Sequence, residues 1–186
     1  MRLDHIAYRV ADRKKTANFF IEYFGYRKQT EFTITFDDSS TAECIALVPP
    51  EKEEDFDWVT AQTFLNGNGI LRDSDTTYHL APEIFVSDGT PDSVVGKWVA
   101  NRDGIGGVHH LAYQVEDVRV AMEKMAAYGC GFTSEDVLKC PDDELHQIFT
   151  KPHPLTGIIY EFIKRGEHGF CQANVESLME STKGLK

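Results

Sequence analysis

Two short stretches of alternating apolar and polar residues carry nearly the same phrase. Residues 4–12 are DHIAYRVAD and residues 109–117 are HHLAYQVED, so the histidine, alanine, tyrosine, valine and final aspartate keep their places. Alternation with a period of two predicts a strand whose side chains point to opposite faces. The chain therefore contains a duplicated strand, and each copy runs into a helical pattern.

The duplicated strands predict one face for chemistry and one for packing. In each copy the histidine shares its face with a small alanine and a polar residue: His5, Ala7 and Arg9, then His110, Ala112 and Gln114. The opposite, apolar faces are expected to pack under helices. If the two copies pair, His5 and His110 meet in one cavity, where they could hold a metal ion. His109 is expected on the opposite strand face, away from that ion.

Each copy is followed by the same order of elements, strand, helix and three strands, which indicates an α+β fold. Apolar residues at helical spacing predict helices over 13–24 and 117–128, ended by Gly25 and Gly129. The predicted strands cover 26–36, 41–48 and 80–87 in the first module, and 131–139, 144–151 and 157–164 in the second. Residues 91–101 predict a linking helix with Thr90 as N-cap.

The expected organisation is one domain over 1–186. Its parts are module one (1–88), a linker helix (89–103), module two (104–165) and a C-terminal closing helix (166–186). An insertion over 49–78 breaks the symmetry; it holds an acidic run at 51–55, a predicted short helix at 56–65 and a turn at 66–69. This insertion could be a lid, a dimer contact or a surface decoration, and a homodimer stays open.

Composition narrows the class of protein. The chain has 186 residues, of which 41% are hydrophobic and 26% charged, as in soluble globular proteins. The net charge of −11 argues against nonspecific binding to nucleic acid or to an anionic membrane. No signal peptide and no membrane-spanning apolar run is expected. The scattered cysteines, Cys44, Cys130, Cys140 and Cys171, predict reduced thiols in a cytoplasmic protein.

The best candidate for a third metal ligand is Glu161, which lies in the apolar strand IIYEFI. Burying a carboxylate among such residues is costly unless a cation compensates it. Glu83, in the corresponding strand of module one, could be a fourth ligand, an acid/base residue beside the metal, or a solvated side chain. Two imidazoles and one carboxylate suit an oxygen-activating iron(II) ion. A second carboxylate would suit a non-redox Lewis acid such as Co, Mn, Ni or Zn.

Gln147 is a candidate for catalysis and for substrate binding, as a neutral donor to a substrate oxygen. An ordinary polar role in its strand is equally open. The remaining histidines have no partner in the repeat and are expected to be solvated or to support the site: His79, His146, His153 and His168.

Together these patterns resemble the vicinal-oxygen-chelate superfamily, which includes glyoxalases, bleomycin-resistance proteins and extradiol dioxygenases. The second half is most similar to the catalytic half of the 4-hydroxyphenylpyruvate dioxygenase family. The phrases that carry this similarity are GVHHLA at 107–112, QIFTKP at 147–152, YEFIKR at 160–165 and GF at 169–170. The resemblance implies two paired βαβββ modules that form an open eight-stranded barrel-like sheet around a metal cavity, closed by the C-terminal helix.

By that resemblance, His5, His110 and Glu161 bind Fe(II), and a 2-oxo acid is oxidised with dioxygen. Substrate contacts are expected from four side chains: Arg9, Gln114, Gln147 and Phe170. Arg9 and Lys97 add positive charge where the family tends to use neutral amides. These departures argue against an aromatic pyruvate as substrate and leave a smaller or more acidic oxo acid open.

Two other functions stay open. Methylmalonyl-CoA epimerases share the second-module phrase, and Glu83 falls where that family supplies a ligand from module one. In that case a divalent metal stabilises the enolate of an acyl thioester. A non-catalytic small-molecule binding protein is the third possibility, because this scaffold also carries sequestering proteins.

Overall fold

The structure, a computed structural model, describes residues 1–49, 70–73, 76–79 and 81–185. Its strands are β1 (Arg2–Val10), β2 (Arg27–Thr35), β3 (Thr41–Val48), β4 (Ile70–Asp73), β5 (Thr76–His79), β6 (Glu83–Gly89), β7 (Gly106–Gln114), β8 (Leu138–Lys139), β9 (His146–Phe149) and β10 (Ile159–Lys164). Its helices are α1 (Arg13–Phe24), α2 (Val94–Ala100), α3 (Val118–Ala127) and α4 (Gln172–Ser181).

The sheet has the expected twofold arrangement of modules. Its strand order is β2-β3-β6-β1-β7-β10-β9-β8, so the two duplicated strands are neighbours at the centre. These central strands, β1 and β7, run antiparallel. Each one pairs in parallel with the last strand of its own module, β1 with β6 and β7 with β10. The α+β prediction of two paired βαβββ modules in one curled eight-stranded sheet is confirmed.

The outer faces of the duplicated strands pack under helices as predicted. In module one, Ile6 and Tyr8 join α1 residues such as Phe20 and Ile21 around a buried cluster. In module two, Tyr113 packs with residues of α3, β9 and β10 in the same manner. The inner face is covered by α2 and α4, whose buried side chains surround Ala7 and Phe85. The inner face is therefore enclosed by protein and can hold a dry site.

The end of α1 agrees with its prediction, and the start of the linking helix does not. Asp12 caps α1 by accepting from the backbone N–H of Lys15, and Gly25 ends it in the left-handed conformation. The linking helix, however, begins later than predicted. Its N-cap is Ser93, whose hydroxyl accepts from the N–H of Gly96, and Thr90 lies in the preceding turn. The Thr90 prediction was wrong because the chain turns once more after Pro91 before it enters the helix.

Module two is more irregular than its pattern predicted. Residues 131–139 form a strand only at Leu138–Lys139, with one isolated bridge between Phe132 and Thr150. Alternation alone cannot show that the intervening residues lack a partner strand. Within the insertion, β4 and β5 pair as an antiparallel hairpin. The predicted helix at 56–65 and turn at 66–69 lie outside the described residues.

The expectation of four reduced thiols was wrong for two of the cysteines. Cys140, before β9, and Cys171, at the start of α4, form a disulfide with their Cα atoms 6.0 Å apart. The two residues are 31 positions apart, and only the return of the C-terminal segment to the sheet brings them together. Cys44 and Cys130 are free and buried. In the described part of the chain, no helix is long and apolar enough to cross a membrane.

Candidate metal centre

The antiparallel pairing of the duplicated strands brings the two predicted histidines together. His5 lies opposite Ala112, and His110 lies opposite Ala7, so each imidazole stands across from the alanine of the other copy. The small alanine side chains leave room above the sheet for both rings. The ring centroids of His5 and His110 are 5.4 Å apart, and both side chains are buried.

Glu161 completes a compact triangle of ligand atoms. Its Oε2 lies 3.0 Å from Nε2 of His110 and 3.3 Å from Nε2 of His5. The two Nε2 atoms are themselves 3.3 Å apart. Glu161 is 1% exposed, so its carboxylate does not face water. Among the described residues these three form the one group of His, Cys, Asp or Glu side chains with metal-binding spacing.

The triangle has the dimensions that one divalent ion requires. Ligand bonds of about 2.1 Å place two atoms about 3.0 Å apart at a right angle and about 3.4 Å apart at a tetrahedral angle. The three observed distances of 3.0–3.3 Å fall in this range. Two imidazoles and one carboxylate on one side of an ion also match the donor set of non-haem iron(II) sites. The residues present therefore fit a divalent metal.

A charged network outside the triangle fixes the orientation of His5. The Nδ1 atom of His5 lies 2.8 Å from Oδ1 of Asp4, so its N–H donates to the carboxylate and Nε2 is left to face the cluster. Arg165 binds Asp4 through two nitrogens and donates to Glu83 Oε2 at 2.7 Å. Its guanidinium also stacks on Phe170, 4.6 Å from the ring centroid.

His109 does not lie on the opposite face, as the alternation predicted. The register of β7 against β1 shifts between the pairs Ala7–His110 and Tyr8–Val108, which leaves His109 without a partner in a β-bulge. The bulge turns His109 towards the cavity, and its Nδ1 lies 2.8 Å from Nδ1 of His110. The strict alternation of a regular strand was the wrong assumption here.

Glu161 is oriented by Gln147, one strand further along the sheet. The Nε2 of Gln147 donates to Glu161 Oε1 at 2.6 Å, while Oε2 faces the two histidines. The amide keeps a second N–H, and its Oε1 is buried without a partner among the described residues. Gln147 therefore combines a bond to the carboxylate with free hydrogen-bonding capacity at the cavity.

The charges of the cluster are distributed unequally. Burial alone would lower the pKa of His5, but the carboxylates of Glu161 and Asp4 outweigh it and raise that pKa to about 9. Burial lowers the pKa of His110 to about 4, against the pull of Glu161. The two histidines hold the pKa of Glu161 below its usual range although burial opposes them. Near neutral pH the cluster thus holds one proton, on His5, where a metal ion could replace it.

Glu83 does not join the triangle. Glu83 lies on β6 opposite His5 of β1. The position in module one that is equivalent to Glu161 lies instead opposite Ala7. That position is Phe85, because Glu161 pairs with Ala112 in module two. The carboxylate of Glu83 is instead bound to Arg165. The structure therefore places three ligand candidates around the cluster and an aromatic ring where a fourth would stand by symmetry.

The predicted substrate-binding residues divide into two groups. Arg9, Gln147 and Phe170 line the same cavity as the triangle, and Phe170 packs on His5 with centroids 5.2 Å apart. Gln114 lies outside the cavity, and its side chain accepts from Arg2 at 2.7 Å near the end of β7. Lys97 is exposed on α2. The shared strand face therefore places Arg9 at the cavity but not Gln114, and the substrate contacts themselves stay predictions.

Several residues around the site were not predicted. The register of the paired strands brings three of them to the site, and a single sequence does not reveal that register: Asp4, Arg165 and Phe85. Two of them had a visible signal, because Asp4 precedes the first histidine and Arg165 ends the phrase that contains Glu161. The free volume of the cavity is about 30 Å³, enough for a few water molecules at most. An organic ligand therefore needs the side chains that cover it from α4 to move, among them Leu178 and Met179.

Comparisons with known proteins agree with this architecture. A structure of a mutant 4-hydroxymandelate synthase from Streptomyces coelicolor superposes with a TM-score of 0.72 and 20% sequence identity. The match covers 98% of this chain but 53% of the synthase, so the chain spans about half the length of that protein. Methylmalonyl-CoA epimerase from Mycobacterium tuberculosis gives a TM-score of 0.60 and 17% identity, over 89% of each chain.

A third solved structure shows what one such protein binds. Methylmalonyl-CoA epimerase from Streptomyces coelicolor, in complex with 2-nitronate-propionyl-CoA, matches with a TM-score of 0.54 and 17% identity, over 88% of this chain and 96% of the epimerase. At these identities the solved structures support the fold alone. A comparison with the curated proteins gave no match.

The family assignment rests on a sequence match. The family model described as Glyoxalase/Bleomycin resistance protein/Dioxygenase superfamily matches residues 4–144, well over half of the chain. That range includes both duplicated strands and therefore His5 and His110. The chain belongs to the Glyoxalase/Bleomycin resistance protein/Dioxygenase superfamily.

Proposed function

We propose that this protein is a non-haem iron(II) dioxygenase that acts on a 2-oxo acid. The observation that carries the proposal is the donor set: His5, His110 and Glu161 stand on one side of a common point. Phe85 takes the position where a second carboxylate would stand by the symmetry of the sheet. Three protein ligands leave coordination positions free for substrate and dioxygen. A fourth protein ligand would occupy one of these positions.

The residues around the triangle would prepare it for this chemistry. Asp4 holds the tautomer of His5 that presents Nε2, and Gln147 holds Glu161 so that Oε2 faces the histidines. Phe85 and Phe170, with ring centroids 5.1 Å apart, would keep bulk water from the reacting atoms. Bound Fe(II) would supply the redox chemistry that couples decarboxylation of the oxo acid to reduction of dioxygen.

The proposed substrate contacts use two polar groups of the cavity. The second N–H of Gln147 would donate to a substrate oxygen near the metal, as the resemblance implied. Arg9 would attract the anion into the cavity, because the guanidinium is buried there as a positive charge.

The proposal is tested by anaerobic reconstitution with Fe(II), followed by oxygen uptake and CO2 release with a panel of 2-oxo acids. We expect the two to be coupled for at least one oxo acid. Glu161→Gln should abolish coupled turnover, while Glu144→Gln, at an exposed glutamate paired with Lys164, should leave it unchanged. Absence of coupled decarboxylation across the panel in iron-loaded protein would overturn the proposal.

The epimerase alternative makes a different prediction with the same preparation. It requires a carboxylate that moves a proton beside the metal, and Glu83 is the candidate for this role. Exchange of the α-proton of an acyl thioester in D2O, lost in Glu83→Gln, would favour it. The Arg165 side chain bound to the Glu83 carboxylate supports the dioxygenase proposal, because it engages the group that the epimerase would need.

A further inference from the structure

The cavity holds a buried positive charge that is not part of the metal triangle. Arg9 is 3% exposed and lies on the same strand face as His5, four residues further along β1. At about 3.3 Å per residue the two Cα atoms are about 13 Å apart. Arg9 and the triangle nevertheless line one cavity.

The guanidinium of Arg9 has few partners for a buried cation. Its Nη2 donates to the hydroxyl of Thr182 at 3.0 Å, a neutral acceptor at the end of α4. Among the described residues its Nη1 is buried without a hydrogen-bond partner, and no carboxylate there forms an ion pair with it. A purely structural arginine at this depth would be expected to hold a carboxylate or several carbonyls, because burying an unpaired charge is costly.

His109 supplies a second unpaired atom in the same corner. The ring of His109 and the guanidinium of Arg9 both lie within 6 Å of the Trp98 ring centroid, at 5.4 Å and 5.9 Å. His109 Nε2 is buried without a partner among the described residues. When His110 uses Nε2 for a metal, its Nδ1–H donates to His109 Nδ1, so His109 carries its proton on Nε2. Both unpaired atoms at this end are then donors.

The middle of the cavity is apolar. Ala7, between His5 and Arg9 on the strand, pairs with Phe85, and Phe170 packs against Phe85. A ligand that fills this cavity would therefore be polar at both ends and aliphatic between them. The unpaired N–H of the Arg9 guanidinium and the N–H of the neutral His109 ring are matched by a carboxylate, whose two oxygens accept hydrogen bonds and whose charge pairs with that of Arg9.

We infer that the cavity selects a 2-oxo dicarboxylic acid, with the distal carboxylate held by Arg9 and the Nε2–H of His109. This inference rests on the proposed function for the 2-oxo end of the ligand, while the distal site rests on the geometry of Arg9 and His109. Arg9 is thus a residue for substrate specificity, and His109 assists it.

The test compares acids of equal chain length that differ only at the distal end. Calorimetry on Zn(II)-loaded protein, which does not turn over, would measure 2-oxoglutarate against 2-oxopentanoate and 2-oxoadipate against 2-oxohexanoate. We expect the dicarboxylate to bind about 10- to 100-fold more tightly in at least one pair, the range of a charge-assisted hydrogen bond. Equal binding within both pairs would overturn the inference.

Variants assign the preference to Arg9. Arg9→Met should reduce the preference to less than about twofold, and Arg9→Lys should retain part of it. Thr182→Val removes the bond to Arg9 but not the charge, and Arg102→Gln removes a cation that stacks on Trp98; both should keep the preference. If Arg9→Met does not fold, the comparison of wild type with Arg9→Lys decides. A preference unchanged in the folded Arg9 variants would contradict the assignment.

A second pair separates failure of this inference from failure of the proposed function. Glutarate and pentanoate lack the keto group, and the difference in affinity between them reports the distal site alone. A preference for glutarate that is lost in the Arg9 variants, with 2-oxoglutarate binding no more tightly than glutarate, would support the anion site and count against the proposed substrate class. If 2-oxo acids bind with no preference for a second carboxylate in either series, the proposed substrate class is supported and the anion site is contradicted.

Discussion

Phe85 occupies in the first module the sheet position that Glu161 occupies in the second. Phe85 pairs with Ala7 and Glu161 pairs with Ala112, the two alanines of the duplicated phrase. The duplication therefore supplies two equivalent histidines but one carboxylate. Because of this asymmetry, one side of the cluster has no protein ligand from the residues that the structure describes, as the proposed reaction needs.

Placing a carboxylate at Phe85 should convert the site to four ligands. Phe85→Glu is expected to destabilise the metal-free protein by several kcal/mol, because the new charge is buried in an apolar cluster. Divalent metal should restore much of this loss, so the rise in Tm on metal addition should exceed that of wild type. Phe85→Leu is the matched control and should show the wild-type rise. An equal rise in all three proteins would show that position 85 does not face the metal.

Asp4 should matter for metal affinity although it is not a ligand. Asp4→Asn weakens the partner that fixes the ring of His5 and should lower metal affinity about 10- to 100-fold. Glu83→Gln alters the same Arg165 network without touching His5 and should change the affinity less than about threefold. Titration of the metal-free proteins with Co(II) measures both. A loss in Glu83→Gln as large as in Asp4→Asn would restore Glu83 as a ligand.

Metal binding should depend on pH, because His5 must lose a proton. The pKa of His5 is about 9, since Glu161 and Asp4 outweigh the effect of burial. The apparent affinity should fall about tenfold for each pH unit below that value, with about one proton released per metal ion at pH 7. Calorimetry in buffers of different ionisation enthalpy counts the proton. Binding without proton release at pH 7 would contradict the assigned charge of His5.

The same proton predicts how stability of the metal-free protein varies with pH. The folded pKa of His5 is raised above its model-compound value of 6.5. Its contribution to stability is therefore complete below about 6.5 and is lost as the pH rises through about 9. Urea denaturation across this range should show the decline in wild type and not in His5→Asn. A flat profile in wild type would argue against the ion pair with Glu161.

The disulfide should stabilise the attachment of the closing helix. Cys140 and Cys171 enclose a loop of 31 residues, for which chain entropy predicts about 3–4 kcal/mol of stability. Reduction, or the double change Cys140→Ser with Cys171→Ser, should lower the free energy of unfolding by up to this amount. Reductant should have no further effect on the double variant. An unchanged stability after complete reduction would show that the bond does not constrain the fold.

The sequence could predict the elements whose signals are local or repeated. The recurrence of one phrase predicted that His5 and His110 would meet if the two copies paired, and the antiparallel pairing of β1 with β7 meets that condition. The burial of Glu161 followed from its apolar neighbours. The features that were missed depend on how strands align. The bulge at His109 and the position of Phe85 depend on strand register, which alternation does not encode. The disulfide depends on a contact between residues that are far apart in sequence.

The central claim is that His5, His110 and Glu161 hold one cation, and metal content tests it most directly. Protein purified without chelator, beside His110→Ala and the surface control His153→Ala, would be measured by elemental analysis after loading with Fe(II) or Co(II). We predict about one ion per chain in wild type and control, and close to none in His110→Ala. Equal metal content in all three proteins, or none in any, would contradict the account.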